Sequence, residues 1–160
     1  MSKTDDDAAA FIRALEEQNG GRLEWKSYAF YMGTSGYNDS VTLGGLIYVV
    51  AGKLVFEDFE KENPLSRLIG RKKEYQKFKI EAPLSSIREL RSVSASDAKR
   101  TIRGKTEAAE LSVLTGLRKI IERRSEAVIF DDGSAWFFEM YETEGLREKI
   151  EEEHIQRGTE

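Results

Sequence analysis

Apolar side chains near the N-terminus recur with the period of a helix. Phe11, Ile12 and Leu15 fall on one face of a helix that we predict for residues 5–19. Aspartates at the start of this segment favour a helix N-terminus, and a pair of glycines follows its end. Because the apolar face is short, we expect this helix to lie at the periphery of the fold.

After these glycines the hydrophobic period changes to two, which is typical of β-strands. A first strand is predicted from Arg22 onward, and it ends at a loop rich in turn formers, residues 33–40. The runs at 46–50 and 54–56 are rich in β-branched and aromatic residues and are separated by three residues, which predicts a tight hairpin. We expect both strands of this hairpin to be mostly buried.

Two polar segments interrupt the strand pattern and are predicted to be insertions. The first, 61–77, contains clustered charges with a proline and a glycine, and a strand resumes at 78–80. Residues 82–87 include a proline, which cannot donate a ladder hydrogen bond, so they predict an edge strand with a bend. The second insertion, 92–110, lacks a steady apolar face. It is predicted to be a loop or a frayed helix, although Ser94 could cap a helix there.

The last third of the chain predicts short strands, a hairpin and a terminal helix. Apolar runs at 111–114 and 120–121 are short and of the strand kind. Two further runs, 128–130 and 136–140, flank an Asp-Asp-Gly-Ser turn, which is the clearest hairpin signal in the sequence. A helix is predicted for 142–156, with apolar positions four residues apart on one face.

The order of these elements predicts a mainly β protein of the α+β class. One helix, six or seven short strands and one terminal helix follow each other without βαβ alternation, which disfavours a parallel sheet. We expect a curled antiparallel β-sandwich or barrel, formed by residues 22–140 and capped by the C-terminal helix. A length of 160 residues suits one core, so residues 1–160 are predicted to form a single domain.

Three segments resemble those of pleckstrin-homology (PH) and GRAM domains. Residues 45–57 resemble the G-x-L-Y…R-L-V-F hairpin of GRAM domains, with Lys53 where the family often has Arg. Residues 82–87 resemble the family's I-P-L-x-x-I strand, and residues 128–155 resemble its final hairpin and terminal helix. The resemblance implies a PH-like fold that binds lipids or proteins. Family members that hold phosphoinositides usually carry basic residues in the loop after the first strand, whereas residues 32–44 contain no Lys or Arg.

Charge is segregated along the chain. Residues 1–60 contain 5 basic and 10 acidic side chains, residues 61–124 contain 17 and 8, and residues 125–160 contain 3 and 11. This asymmetry indicates either charged partners or internal pairing of the basic middle with the acidic ends. The best candidates for contact with anions form a basic cluster with interleaved aromatic residues: Arg67, Arg71, Lys72, Lys73, Lys77 and Lys79. A solvated loop would explain the same cluster.

The sequence contains few of the nucleophilic and metal-ligating groups that enzymes use, although its abundant carboxylates could include an acid/base pair. It has no cysteine and one histidine, His154, so a thiolate nucleophile or a multi-histidine metal site cannot be built within one chain. His154 lies on the apolar stripe of the terminal helix and is interpreted as a packed or capping residue. A turn explains Asp131 and Asp132 better than cation binding does, and the Gly-Lys-Thr at 104–106 lacks the earlier glycine of a P-loop. We expect a protein without enzymatic activity, metal or cofactor.

The remaining hypotheses concern location and partners. No apolar run approaches the ~18 residues of a membrane span, and the first residues lack the apolar core of a secretion signal. We therefore expect a cytoplasmic protein with no transmembrane segment. The leading hypothesis is an interaction module that binds a protein partner, and the alternative is peripheral binding of anionic lipid or phosphate through residues 67–79. A small-ligand carrier or an enzyme is a third hypothesis, while the acidic ends of the chain oppose general nucleic-acid binding.

Overall fold

Seven antiparallel strands form one open sheet, with a helix before it and a helix after it. The computed structural model describes residues 3–37, 42–59 and 78–158. The strands are β1 (Leu23–Thr34), β2 (Leu43–Val50), β3 (Lys53–Asp58), β4 (Lys79–Pro83), β5 (Ile87–Ser94), β6 (Arg124–Phe130) and β7 (Ala135–Met140). The helices are α1 (Lys3–Asn19), α2 (Ala95–Ile102), α3 (Arg118–Ile121) and α4 (Glu144–Gly158). The order across the sheet is β4-β3-β2-β1-β7-β6-β5, which confirms the prediction of an antiparallel α+β protein with six or seven strands.

The main core lies on one face of the sheet, which we call the inner face. One buried cluster joins Phe56 on β3, Leu90 on β5 and Phe138 on β7 to Leu146 and Ile150 on α4. These strands are far apart in the order of the sheet, so their side chains can share a cluster only if the sheet curls. Helix α4, which begins close to where the sequence predicts the terminal helix, packs its apolar stripe into this core.

The two edge strands, β4 and β5, are brought close together by this curl. Seven strands spaced by about 4.8 Å would place the edges of a flat sheet about 29 Å apart. Pro83 and Ile87 are instead joined by a single 3-10 turn, Leu84–Ser86, which spans at most about 14 Å. The Leu84 N–H donates to the Gly52 carbonyl oxygen at 2.9 Å and fixes this turn against the first hairpin. It is the bend that the sequence predicts at 82–87.

Both predicted hairpins are confirmed, and their turns have the expected chemistry. Ala51 and Gly52 between β2 and β3 have φ angles of 49° and 73°, a pair of left-handed residues that matches the twist of a two-residue hairpin. In the turn between β6 and β7, Gly133 has a φ of 88°. Asp132 Oδ1 accepts hydrogen bonds there from Ser134 N and Ser134 Oγ, at 2.9 Å and 2.6 Å. These bonds hold the pKa of the Asp132 carboxyl below its usual value.

The prediction of an inserted loop or frayed helix at 92–110 is wrong, whereas the alternative that Ser94 caps a helix there is confirmed. The first residues of this segment extend β5 as far as Ser94, and an ordered helix, α2, follows. The Ser94 Oγ accepts from Asp97 N at 3.1 Å, which makes it the N-cap of α2. The buried face of α2 consists largely of Ala95, Ala98 and Ile102, and two alanines give only a weak apolar signal in the sequence.

The two short strands predicted at 111–114 and 120–121 are also wrong. Leu111 and Leu114 are buried, but the backbone that carries them is irregular. The Leu114 N–H donates one hydrogen bond to the Ser92 carbonyl oxygen, at 2.8 Å. Residues 118–121 form the one-turn helix α3, with Ile120 and Ile121 in solvent. Short apolar runs fit buried strands, buried loops and exposed turns equally well, so their pattern did not decide among them.

The opposite, outer face of the sheet is covered in two places. Helix α1 lies over the β1–β3 region, where Leu15 packs with Tyr48 and Val55. Helix α2 and residues 108–111 lie over the other half, where Ile102 packs with residues such as Phe137. The helix predicted at 5–19 is therefore confirmed as α1, and the outer face of β1 between the two covers stays open to solvent.

Candidate interaction surfaces

Most of the predicted basic cluster lies outside the described residues. Arg67, Arg71, Lys72, Lys73 and Lys77 belong to this undescribed part of the chain. Lys79 is described, on edge strand β4, where its Nζ lies 3.5 Å from Glu57 Oε1. Glu57 is buried and also accepts a hydrogen bond from the Tyr48 hydroxyl at 2.9 Å. Lys79 is therefore held on the sheet by an internal carboxylate.

Burial and this neighbouring carboxylate also affect Tyr48. Desolvation raises the pKa of the Tyr48 phenol above its usual value, and the hydrogen bond to Glu57 raises it further. Asn19 Nδ2, at the end of α1, lies 3.5 Å from the same hydroxyl. The Tyr48–Glu57 pair thus ties the outer face of the sheet to α1 and contains no exposed reactive group.

Four exposed aromatic side chains lie where the outer face of the sheet is uncovered. We call Tyr28, Phe30, Phe59 and Tyr141 the aromatic surface. Tyr28 is 69% exposed and Phe30 is 52% exposed, although both lie within the central strand β1. The Tyr28 and Phe59 ring centroids are 5.9 Å apart, and the Tyr141 N–H donates to the Tyr28 carbonyl oxygen at 3.2 Å. The aromatic surface is therefore built on backbone that is fixed by strand pairing.

The alternation of β1 explains why these rings point outward. Ala29 and Tyr31 face the inner core, so Tyr28 and Phe30 must face the other way. Phe30 pairs with Gly44 on β2, and a Cβ at Gly44 would lie 3.2 Å from the Phe30 ring. The missing side chain leaves space for the ring to lie along the sheet. Aromatic residues occur at both odd and even positions of β1, so some of them must lie on each face of the strand. This is the sequence signal that could have predicted the aromatic surface.

The charges around the aromatic surface are few and mixed. Glu139, which pairs with Phe30 across β1 and β7, accepts from Arg123 Nη2 at 2.8 Å. Lys26 precedes Tyr28 on the same face of β1 and is exposed. Within the described residues Lys26 has no ion-pair partner. The aromatic surface therefore has one uncompensated cation at its margin.

A second exposed apolar group lies in the connection between α2 and β6. Leu117, Ile120 and Ile121, which we call the aliphatic tip, are 75%, 82% and 79% exposed. The backbone around them forms one helical turn, closed by the bond from Glu122 N to the Arg118 carbonyl oxygen at 2.9 Å. The sequence pattern predicted a strand at Ile120 and Ile121 and did not indicate this exposed turn, although the adjacent basic residues were a signal for exposure.

Both ends of this connection are anchored to the fold. On one side the Leu114 N–H donates to the Ser92 carbonyl oxygen at 2.8 Å. On the other side the Ala95 N–H donates to the Arg123 carbonyl oxygen, also at 2.8 Å. The aliphatic tip is thus displayed between two points that are hydrogen-bonded to the end of β5 and the start of α2.

Groups that could perform chemistry are engaged in structural contacts. His154 is exposed, so the interpretation as a packed residue is wrong, and its Nε2 donates to the Ile87 carbonyl oxygen on the sheet at 2.8 Å. Glu126, buried on β6, accepts from Ser92 Oγ at 2.8 Å and from Arg124 Nε at 2.6 Å. A recess of about 350 Å³ near the second hairpin is lined by Ala82, Ser86, Phe130, Asp131, Asp132, Ser134 and Trp136. Its two acidic residues belong to the β6–β7 turn. The Asp131 carboxylate is shared by two arginines, with Arg88 Nε and Arg157 Nη1 each 3.9 Å from one of its oxygens.

Neither a metal-binding cluster nor a similarity to known proteins assigns a ligand to the described residues. Within residues 3–37, 42–59 and 78–158, no group of three or more histidine or acidic side chains could hold a metal ion. In the same part of the chain, no helix combines the length and apolar character needed to cross a membrane. No protein-family model matches the chain, and no curated protein matches it.

Proposed function

We propose that this protein is a non-catalytic, PH/GRAM-like interaction module that binds a protein partner through the aromatic surface. The strand order β4-β3-β2-β1-β7-β6-β5, with a C-terminal helix packed on the inner face, supports the PH-like part of this proposal. The hairpin at 45–57, on which the resemblance rests, is formed by β2 and β3. The partner is a protein, and the described sheet supplies the binding surface.

The observation that carries the proposal is the exposure of Tyr28 and Phe30 in the centre of a paired sheet. Large exposed aromatic groups are enriched in protein interfaces, because they bury much apolar area with few rotatable bonds. β1 is hydrogen-bonded to β2 on one side and to β7 on the other, so these rings are already positioned before binding. Little conformational entropy would be lost on complex formation.

The charges at the margin define the chemistry of the partner. Glu139 is neutralised by Arg123, whereas Lys26 has no ion-pair partner among the described residues. The binding segment of the partner therefore presents apolar side chains to Tyr28 and Phe30 and a carboxylate to Lys26. An apolar segment without an acidic group would leave this lysine uncompensated at the edge of the interface.

The non-catalytic part of the proposal is supported by how the reactive groups are used. The single histidine of the sequence donates to a backbone carbonyl at the β5 edge. The buried carboxylate Glu126 is paired with Arg124 and Ser92. Catalysis by these groups would require breaking contacts that stabilise the fold.

Site-specific photocrosslinking in the native cell tests this proposal. A benzoylphenylalanine at position 30 is expected to give an adduct with a different protein, and the same probe at Phe11, a similarly exposed aromatic residue on α1, is expected to give none. Tyr28→Asp and Lys26→Glu, each combined with the probe at position 30, are expected to reduce the adduct. An adduct of equal yield at both positions, or with only a second copy of the chain, contradicts the proposal.

A further inference from the structure

We propose that the aliphatic tip inserts into the interface of an anionic lipid bilayer. Leu117, Ile120 and Ile121 would enter the boundary between headgroups and acyl chains, while the basic residues beside them contact lipid phosphates and carboxylates. This inference goes beyond the protein-binding function proposed above, and it concerns a different surface of the molecule.

The exposure of these three side chains makes the tip suitable for insertion. Each is at least 75% exposed, and none of them belongs to a buried apolar cluster of the described residues. They lie within five consecutive residues on a single turn, so they form one small protrusion rather than a face. Short protrusions of aliphatic side chains gain free energy in the interface without requiring a membrane-spanning helix.

The charge around the tip complements an anionic membrane. Arg118 and Lys119 lie between Leu117 and Ile120 in the sequence, and Arg123 follows the turn. Lys119 is exposed and has no ion-pair partner in the described part of the chain. Arg118 Nη2 lies 3.1 Å from Glu122 Oε2, and Arg123 Nη2 lies 2.8 Å from Glu139 Oε2, so Lys119 is the cation of the tip that an anionic surface would compensate. Arg118 Nη2 also lies 3.6 Å from Asp97 Oδ2 at the start of α2, which links the tip to that helix.

Helix α2, which the Arg118–Asp97 pair links to the tip, also carries exposed cations. Its exposed face carries Lys99 and Arg100, and Arg103 and Lys105 follow the helix, all of them exposed. Basic residues close to a membrane surface attract anionic lipid additively, within about one Debye length. The net charge of the whole protein is -4, so attraction to an anionic surface requires this region to face it.

The same properties distinguish a bilayer from other occupants. The aromatic surface is flat, held by paired strands and bordered by mixed charges, whereas the tip is aliphatic, protruding and bordered mainly by cations. Residues 32–44, where phosphoinositide-binding members of the resembled family carry basic residues, contain no Lys or Arg, so the tip is a different candidate for contact with anionic lipid. Insertion of aliphatic side chains beside cations is the mode of contact that these residues fit.

Vesicle flotation with the full chain tests the proposal. The protein is expected to float with vesicles of phosphatidylcholine and phosphatidylserine at low salt, and less with vesicles of phosphatidylcholine alone. Replacing Ile120 and Ile121 together by Asp is expected to reduce the partition coefficient about tenfold or more, because apolar insertion is lost. Ile155→Asp makes the same kind of substitution at an exposed isoleucine of α4 and is expected to leave the partition coefficient unchanged. Lys119→Glu is expected to weaken binding and its salt dependence.

A fluorescent label reports insertion at the tip itself. The chain has no cysteine, so a single cysteine can be labelled uniquely with an environment-sensitive dye. Labelled Ile121→Cys is expected to shift its emission to the blue with phosphatidylserine vesicles, and labelled Ile155→Cys is not. Equal shifts at both positions, absence of flotation, or an unchanged partition of the double Asp variant would overturn the proposal.

The outcome is separable from that of the protein-binding function. Phe30→Asp alters the aromatic surface and is expected to leave flotation unchanged, while it reduces crosslinking to the protein partner. The double Asp variant of the tip is expected to retain its folded circular dichroism spectrum, because the replaced side chains are already in solvent. If the double Asp variant loses both flotation and its folded spectrum, Lys119→Glu becomes the deciding variant. Unchanged vesicle binding by Lys119→Glu would then contradict the proposed insertion into an anionic bilayer.

Discussion

His154 Nε2 donates a hydrogen bond to the Ile87 carbonyl oxygen at 2.8 Å, so the C-terminal helix satisfies a backbone group on the edge of the sheet. Two further side chains of α4 act in the same way. Arg147 Nη1 donates to the Leu90 carbonyl oxygen at 2.9 Å, and Arg157 donates to that of Ser85. Unpaired edge groups can pair with another chain. Helix α4 therefore both fills the inner core and occupies hydrogen-bonding groups of the β5 edge.

Removal of this histidine contact should weaken the docking of α4. We expect His154→Ala to lower the free energy of unfolding by about 1 kcal/mol, the usual net value of one hydrogen bond. The measurement is urea unfolding followed by circular dichroism. His154→Gln can still donate from its amide and is expected to lose less, so equal losses in both variants would contradict the proposed role of the contact.

Close packing between α4 and β1 predicts a difference between two glycines of the same helix. A Cβ at Gly145 would overlap the indole of Trp25, whereas a Cβ at Gly158 meets no atom within 4 Å. We expect Gly145→Ala to cost about 1–3 kcal/mol through overpacking, despite the better helix propensity of alanine. Gly158→Ala is the matched control and is expected to be neutral or slightly stabilising. Thermal unfolding of the two variants measures the difference.

The start of α4 gives a prediction about pH. Glu142 Oε2 accepts from the Trp25 indole N–H at 2.5 Å, and Glu142 Oε1 accepts from Gly145 N at 2.9 Å. These bonds favour the carboxylate and hold the pKa of Glu142 below its usual value. Their contribution is therefore present above the unfolded pKa of about 4.3 and is lost as pH falls through the lower folded value.

The matching experiment compares urea unfolding at about pH 7 and about pH 3. Glu142→Gln is expected to lower stability at neutral pH and to show a smaller loss on acidification than the unmodified chain. Glu148→Gln, on the exposed face of α4, is the control. The idea fails if both variants depend on pH as the unmodified chain does.

The cap of α2 predicts a loss of stability at a position that the sequence left undecided. Ser94 is buried, and its Oγ accepts from Asp97 N at 3.1 Å. We expect Ser94→Ala to destabilise the protein by about 1 kcal/mol. Ser112→Ala, at an exposed position of the following connection, is expected to change little. Chemical unfolding of both variants checks this cap, and equal stabilities would argue against it.

Several elements could be predicted from the sequence because neighbouring residues decide them. Gly52 and Gly133 supply the positive φ angles of two tight turns, and the apolar runs beside them pair without help from distant residues. The helical stripes that contain Leu15 and Leu146 were likewise readable from their spacing. The basic cluster at 67–79 was predicted from composition alone and, apart from Lys79, lies outside the described residues.

The sequence misled where distant residues decide the outcome. The face of α2 is built mainly from alanines, and it becomes an apolar face only because Ile102 lies close over Gly33 of β1, where a Cβ would come within 2.9 Å. Ile120 and Ile121 form an apolar pair that the pattern assigned to a strand, yet they belong to the one-turn helix α3 and lie in solvent. Local period alone cannot distinguish these cases.

The sequence by itself determined the first helix, the two tight hairpins and the amphipathic terminal helix, since these depend on periodicity and on backbone preferences of a few adjacent residues. Only the tertiary structure decided how far the sheet curls, which of the apolar residues stay exposed and how α4 occupies the β5 edge. Tyr28 and Phe30 are exposed because α1 and α2 cover the sheet on either side of them. The physical reason is that burial depends on residues distant in sequence, and no local pattern specifies them.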